Sequence, residues 1–174
     1  MNRMVLPLYI PQQFRTFVMP MKKLILLIFA FLACALTANA QFFEGFSVES
    51  YKITRVWPTS FRSVRGDVKT VVSNTGDERT LSGLTATVYR NGVPFAYGRG
   101  DDKTVWVGRH QYLLKGYAKL AENVTTWQAI KAALAFKAEE YTLDFNLTIT
   151  HPDGKVDYVV RKGVPLSNYL KRRR

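Results

Sequence analysis

Two histidines are the first side chains to consider for chemistry in this chain. His110 and His151 could each act as a general base, because an imidazole gains and loses its proton near neutral pH. They lie far apart in the sequence, and neither belongs to a recognisable nucleophile motif. We expect turn or surface roles for both, and a hydrolase that uses one of them remains an open alternative.

Neighbouring carboxylates occur at Asp101-Asp102 and at Glu139-Glu140. Consecutive residues of an extended strand point to opposite faces, so these pairs do not converge on one substrate atom. Asp101 and Asp102 could join the glycines that precede them in a turn that binds Ca²⁺ through oxygen ligands. Solvated turn carboxylates are the more common case, and we predict no metal site.

Other motifs of enzyme chemistry are missing from the sequence. There is no G-x-S-x-G, and Gly98-Arg99-Gly100 lacks the lysine and the helix that a phosphate-binding loop requires. The single cysteine, Cys34, excludes an intramolecular disulfide framework and a cysteine-based zinc site. We therefore predict a protein that is not an enzyme, binds no cofactor, and has no catalytic, cofactor-binding or metal-binding residue.

The beginning of the chain has the parts of a secretory signal peptide. Residues 21–40 combine a basic start, an apolar run over 24–36 and small residues near the end. This pattern predicts export and cleavage after Ala40. Residues 1–20 are then an upstream extension, which could reflect a misplaced start.

Two other fates of this segment stay open. The uncharged stretch 24–43 is about as long as a bilayer-spanning helix requires and could act as an uncleaved anchor. Cys34 could instead carry a lipid. The sequence therefore predicts a periplasmic or cell-surface location, with a membrane anchor at 24–43 as the alternative.

The charge of the chain indicates the kind of partner. It has 25 Lys and Arg against 13 Asp and Glu, a formal net charge of +12, and loss of residues 1–40 removes four basic residues and no acidic one. For an exported protein we expect contact with anionic envelope polymers or lipid headgroups, and no nucleic acid. Positive charge that only maintains solubility is the alternative. The sequence identifies no protein partner.

The densest charge lies in the C-terminal tail, residues 167–174. Four consecutive cations repel one another and resist burial, so they are expected to be solvated outside the folded domain. They are the candidate contacts to an anionic surface: Lys171, Arg172, Arg173 and Arg174.

Alternation of apolar and polar residues dominates the rest of the chain. In Tyr141–Thr150 every odd position is apolar and every even position is polar, which is the pattern of a half-buried strand. The turn sequence His151-Pro152-Asp153-Gly154 follows, and alternation resumes after it, so 141–162 is predicted to be a β-hairpin. Asn91-Gly92 predicts a second hairpin with a type I′ turn. Pro94 predicts a short or edge strand after that turn.

One alanine-rich segment, 125–137, breaks the alternation and predicts a helix. Thr125 and Gln128 have the spacing of a capping box. Trp127, Ile130 and Leu134 recur on one helical face and are expected to pack against a sheet. Phe136 falls on the opposite side of an ideal helix, so either the helix loosens before it or both sides are covered.

The remaining strands are expected over 46–57, 64–72, 104–107 and 110–120. Short strands with frequent turn signals and one late helix predict a mainly β fold. We expect an antiparallel two-sheet β-sandwich of about seven strands with one packed α-helix, which forms a single domain over residues 41–166.

Two segments resemble the type 2 late-embryogenesis-abundant domain, also called the water-stress and hypersensitive-response domain. Val71–Gly76 is similar to the strand that enters an Asn-containing turn in that family, although Ser73-Asn74-Thr75 stands where the family has Asn-Pro-Asn. Leu84–Gly98 is similar to the hairpin that follows. The resemblance covers roughly residues 46–166.

Membership of this family would imply an antiparallel sandwich with one helix and no known enzyme activity. It would also imply a role in stress protection or in the envelope, and it supplies no catalytic residue. The sequence as a whole therefore predicts an exported, non-enzymatic binding or structural module of the bacterial envelope. A stress protectant and an unrecognised hydrolase are the two alternatives.

Overall fold

The structure, a computed structural model, describes residues 45–167. The predicted signal peptide, the alternative anchor at 24–43, Cys34 and the cations at 171–174 lie outside the described residues. In the described part, the elements in chain order are β1 (Phe46–Ser60), β2 (Ser63–Asn74), β3 (Arg79–Arg90), β4 (Val93–Gly100), β5 (Lys103–Val105), β6 (Gly108–Leu120), α1 (Thr126–Leu134), a short 3₁₀ helix (Ala138–Glu140), β7 (Tyr141–Thr150) and β8 (Val156–Pro165).

The strands form one antiparallel sheet in the order β1-β2-β6-β4-β3-β7-β8, and β5 pairs with β3. The predicted mainly β, antiparallel fold with one helix is confirmed for residues 45–167, with eight strands instead of about seven. The hairpins β1–β2, β3–β4 and β7–β8 join strands that are consecutive in the chain.

Strand β6 joins the β1–β2 hairpin to the part of the sheet that contains β4, β3, β7 and β8. It pairs with β2 from Ser63 opposite Lys119 to Asn74 opposite Gly108, but with β4 only between Ala96 and Gly100. Beyond Gly100 the chain continues as β5, which pairs with β3. One buried apolar cluster nevertheless includes side chains of β2 and β7, which are not neighbours in the sheet. The sheet therefore curls around a single core.

The buried side chain of Asn74 connects β2 to β5, which pairs with β3 on the other side of β6 and β4. Its side chain is fully buried, and its Nδ2 donates to the carbonyl oxygens of Asp77 at 2.8 Å and Val105 at 3.3 Å. Its Oδ1 accepts a hydrogen bond from the Gly76 N–H at 3.0 Å. The amide thus links the end of β2 to the end of β5, where no backbone pairing connects the two strands.

Both predicted hairpins are confirmed. In β7 the odd positions are buried and the even positions are not. At the β3–β4 turn, Asn91 has φ 50° and Gly92 has φ 79°, which are the left-handed values that a type I′ turn requires. The edge position suggested by Pro94 is wrong, since β4 lies between β3 and β6. The proline is accommodated because β6 pairs with β4 only from Ala96 onward.

The helix forms as predicted but buries different side chains. The Thr125–Gln128 capping box is present, yet Trp127 is 63% exposed and Leu134 is 69% exposed, so only Ile130 of the predicted stripe is buried. Alanines face the core with it, because their small side chains allow a short helix to lie close to the sheet: Ala129 and Ala132. No helix within residues 45–167 is long and apolar enough to cross a membrane.

The chain beyond the helix is held by aromatic packing. The helix ends at Leu134, and the Phe136 ring stacks on Tyr141 with centroids 5.1 Å apart. Phe95 meets the same tyrosine edge to face at 5.7 Å. Tyr141 is buried, and its hydroxyl has no hydrogen-bond partner among the described residues. The loosening of the helix before Phe136, one of the two expected arrangements, is therefore the one observed.

Candidate binding site

The two histidines occupy separate turn regions. The His110 Nε2–H donates to the carbonyl oxygen of Val107 at 2.8 Å and thereby fastens the loop that enters β6. His151 Nε2 lies 2.9 Å from Asp157 Oδ2 across the β7–β8 hairpin. The hydrogen bond from His151 lowers the pKa of the Asp157 carboxyl, and Lys155 acts in the same direction. Both imidazoles therefore make contacts that close turns.

The neighbouring carboxylates also have structural partners. Asp101 accepts a hydrogen bond from the Lys115 N–H at 2.7 Å, and Asp102 accepts one from the Gly83 N–H at 3.2 Å. Glu140 forms an ion pair with Arg90 at 2.7 Å. Across residues 45–167, no three His, Cys, Asp or Glu side chains are grouped as metal ligands would be.

A cleft on the outer face of the sheet brings basic and aromatic side chains together. Trp57 of β1 is the direct cross-strand partner of Arg65 of β2. Arg65 in turn lies opposite Tyr117 of β6, and Tyr117 lies opposite Arg99 of β4. Cross-strand partners project to the same face. We call these four residues the aromatic–arginine row.

A second row runs parallel to the first, two residues further along each strand. Arg55 of β1 lies opposite Asp67 of β2, which lies opposite Lys115 of β6. Asp101 completes the row, since its N–H donates to the Lys115 carbonyl oxygen at 2.9 Å. Cations and carboxylates alternate along these four residues, which we call the alternating-charge row.

The two rows border a cleft of about 510 Å³. Three glycines lie between them on adjacent strands, where Gly66 is opposite Gly116 and Gly116 is opposite Gly100. These glycines alternate with the outward-facing residues of the two rows, so their backbone atoms line the cleft. The cleft thus lies at the place where the pairing of β4 with β6 ends.

A second cleft of about 490 Å³ continues the first toward β3. The two clefts share Arg99 and Tyr117. Tyr97 and Lys119, which are cross-strand partners, add another ring and another cation. Together the clefts cross five strands, a width of roughly 19 Å at ordinary strand spacing.

The positive charges of the cleft are poorly neutralised by the protein. Among residues 45–167, no carboxylate lies within ion-pair distance of Arg55, Arg65 or Arg99. Beside the cleft, Lys52 of β1 lies directly opposite Lys69 of β2. Like charges at such positions destabilise a sheet. This face is therefore electrostatically suited to a negatively charged ligand.

Sequence reasoning missed these residues, although a signal was present. Charged and aromatic residues recur at intervals of two in four strands, and in a strand that spacing places them on one face. The segments are Arg55-Val56-Trp57, Arg65-Gly66-Asp67, Tyr97-Gly98-Arg99 and Lys115-Gly116-Tyr117-Ala118-Lys119. Their meeting depends on strand order, which the local pattern does not contain.

The sequence matches no model of a known protein family, and no curated protein is significantly similar to it. Three solved structures have weakly similar folds. A protein from Archaeoglobus fulgidus is 18% identical with a TM-score of 0.39, over 66% of this chain and 93% of that chain. A FixG-related protein from Vibrio parahaemolyticus is 12% identical with a TM-score of 0.29, over 68% of this chain and 94% of that chain. The GAE domain of yeast GGA1 is 10% identical with a TM-score of 0.30, over 67% of this chain and 96% of that chain. Similarity of this degree identifies neither a family nor a function for the chain.

Proposed function

We propose that this protein is an exported, non-enzymatic binding module of the bacterial envelope that binds an anionic ligand in the outer-face cleft. The observation that carries the proposal is the aromatic–arginine row, in which Arg65 and Arg99 flank Tyr117 and have no carboxylate at ion-pair distance in residues 45–167. A ligand with negative groups supplies the missing counter-charge.

The chemistry of arginine supports this function. The guanidinium group presents its N–H donors as a planar fork that matches a carboxylate or a phosphate, and it stays charged at any physiological pH. Arg99 lies over the Tyr117 ring at 5.1 Å from the centroid, which restrains its guanidinium group before any ligand binds. Restraint of this kind reduces the entropy lost on binding.

The predicted tail contacts remain part of the proposal. Lys171, Arg172, Arg173 and Arg174 lie outside the described residues, so they are proposed as a second contact to the same kind of ligand. Near an anionic membrane each such cation contributes on the order of 1 kcal/mol, and salt screens the contribution.

Binding measurements with single substitutions test the proposal. The purified protein is titrated at low and high salt with polygalacturonate, with polyphosphate and with vesicles containing phosphatidylglycerol, and neutral dextran serves as the control ligand. We expect Arg65→Ala and Arg99→Ala each to weaken anion binding roughly tenfold, the effect of losing one charge-assisted hydrogen bond. High salt should reduce the difference.

The matched control is Lys137→Ala, which removes the same charge from an exposed position outside the cleft. Equal effects of all three substitutions would show that only the total charge matters. Deletion of 171–174 in the wild-type and Arg99→Ala backgrounds separates the tail from the cleft. N-terminal sequencing of exported protein tests the proposed location, with Gln41 as the expected first residue.

We also propose that the curled sheet is arranged as a two-layer sandwich, with β1, β2 and β6 packed over β3, β7 and β8. The short β4–β6 pairing and the shared buried cluster support this arrangement. Kinship with the type 2 late-embryogenesis-abundant domain stays a prediction. So do stress protection and hydrolysis at His110 or His151, since no observation in the described chain favours either.

A further inference from the structure

One carboxylate that lines the cleft has a buried oxygen without a hydrogen-bond donor in residues 45–167. Asp67 is 9% exposed and lines the cleft, and its Oδ1 has no hydrogen-bond partner among residues 45–167. An ionised carboxylate can only accept hydrogen bonds. A buried acceptor without a donor is destabilising. A ligand that completes this cleft therefore brings an O–H or N–H donor to Asp67.

The order of charges in the alternating-charge row further restricts the chemical class of the ligand. A polymer laid across Arg55, Asp67 and Lys115 meets a cation, an acceptor and a second cation at intervals of roughly 5 Å. A polymer whose negative groups are separated by hydroxyl groups matches this order. An uninterrupted chain of phosphates brings negative charge against Asp67 as well, and the repulsion opposes its binding.

The rings of the aromatic–arginine row suit the apolar side of such a polymer. Trp57 and Tyr117 line the cleft on either side of Arg65. The face of an aromatic ring carries partial negative charge. It therefore attracts the C–H groups of a sugar ring, which are slightly positive.

We infer that the ligand of this cleft is an acidic glycan, an inference that rests on the proposed function. Its carboxylates bind Arg65, Arg99 and the cations on either side of Asp67, and one of its hydroxyl groups donates to the Asp67 carboxylate. The C–H faces of its sugar rings contact Trp57 and Tyr117. Asp67 thus selects sugar polymers from among the anions that the arginines attract.

The test compares three polymers on the wild-type protein and on Asp67→Ala: polygalacturonate, polyphosphate and single-stranded DNA. We expect Asp67→Ala to weaken binding of polygalacturonate roughly tenfold, because one charge-assisted hydrogen bond is lost. Binding of polyphosphate should stay equal or become tighter, because a repelling charge is removed. Asp77→Ala is the matched control, since it removes an exposed carboxylate outside the cleft.

Weaker binding of polygalacturonate together with equal or tighter binding of polyphosphate supports the glycan. If Asp67→Ala tightens binding of both polymers, Asp67 only repels anions and the glycan inference is overturned, while the proposed function stands. Tight DNA binding that depends on Asp67 assigns the cleft to nucleic acid instead. If Arg65→Ala and Arg99→Ala change nothing, the proposed function itself fails.

A second substitution covers the case in which Asp67→Ala does not fold, as judged by its thermal unfolding curve. Trp57→Leu removes a ring that lines the cleft, leaves every charge in place and keeps the stack of Arg99 on Tyr117. We expect it to weaken polygalacturonate binding and to leave polyphosphate binding unchanged. Equal loss of both polymers would contradict sugar recognition.

Discussion

The guanidinium group of Arg99 lies over the ring of Tyr117, its direct cross-strand partner, at 5.1 Å from the ring centroid. The stack joins β4 to β6 within the short stretch where these strands pair. The N–H donors of Arg99 are available to a ligand, because no carboxylate of residues 45–167 lies at ion-pair distance from it. The same contact thus serves the sheet and the proposed anion site.

We expect this contact to stabilise the fold by about 0.5–1 kcal/mol, the range for exposed cation–π pairs. The measurement is a double-mutant cycle with Arg99→Ala and Tyr117→Leu, followed by urea denaturation of the four proteins. The coupling energy should be independent of any ligand. Additive effects of the two substitutions would mean that the stack contributes nothing to stability.

Asn74→Ala should destabilise the protein by roughly 2–3 kcal/mol. The substitution removes three hydrogen bonds at a fully buried position and leaves the Val105 carbonyl oxygen without this donor. Asn123→Ala is the control, because this asparagine donates a single side-chain hydrogen bond within residues 45–167, to the Pro94 carbonyl oxygen, from an exposed position. Equal shifts in melting temperature for the two variants would contradict a bridging role for Asn74.

Tyr141→Phe should leave the protein equally stable or stabilise it by about 1 kcal/mol, because it deletes a buried hydroxyl without a partner in the described chain. Burial raises the pKa of Tyr141 above its ordinary value of 10.0. The tyrosine's contribution to stability is therefore complete below pH 10.0 and is lost as the pH rises above it. Unfolding curves measured below and above pH 10.0 should show that the stability of the variant, relative to the wild type, increases as the pH rises. A constant difference would contradict the burial effect.

Ala129→Leu should destabilise the protein by about 1–3 kcal/mol, since a larger side chain has no room where the helix meets the core. Leu134→Ala should change stability by less than about 0.5 kcal/mol, because this leucine is 69% exposed. Melting temperatures of the two variants check both expectations. If Leu134→Ala lowered the melting temperature more than Ala129→Leu, the buried face of the helix would be the one that periodicity predicts, which contains Leu134.

Local patterns in the sequence predicted the elements but not their arrangement. Alternation identified β7, and Asn91-Gly92 identified the β3–β4 turn, because both signals act between residues close in the chain. The predicted buried face of the helix was wrong. Helical spacing favours burial of the large apolar side chains, Trp127 and Leu134, whereas a close approach of the helix to the sheet requires small ones. The candidate site could not be predicted, since Arg65, Tyr117 and Arg99 meet only through the pairing of β6 with both β2 and β4.

The position of β6 between β2 and β4 also determines how the chain reaches its native state. The three hairpins close between consecutive strands, so each can form early from nearby residues. The β2–β6 and β3–β7 ladders instead join distant parts of the chain, such as Ser63 with Lys119 and Thr80 with Thr150. Loops of this length must lose entropy before their contacts form, and folds rich in such contacts refold in roughly milliseconds to seconds. Folding should therefore be limited by the formation of these two ladders, and the cleft assembles only once β6 has paired with both β2 and β4.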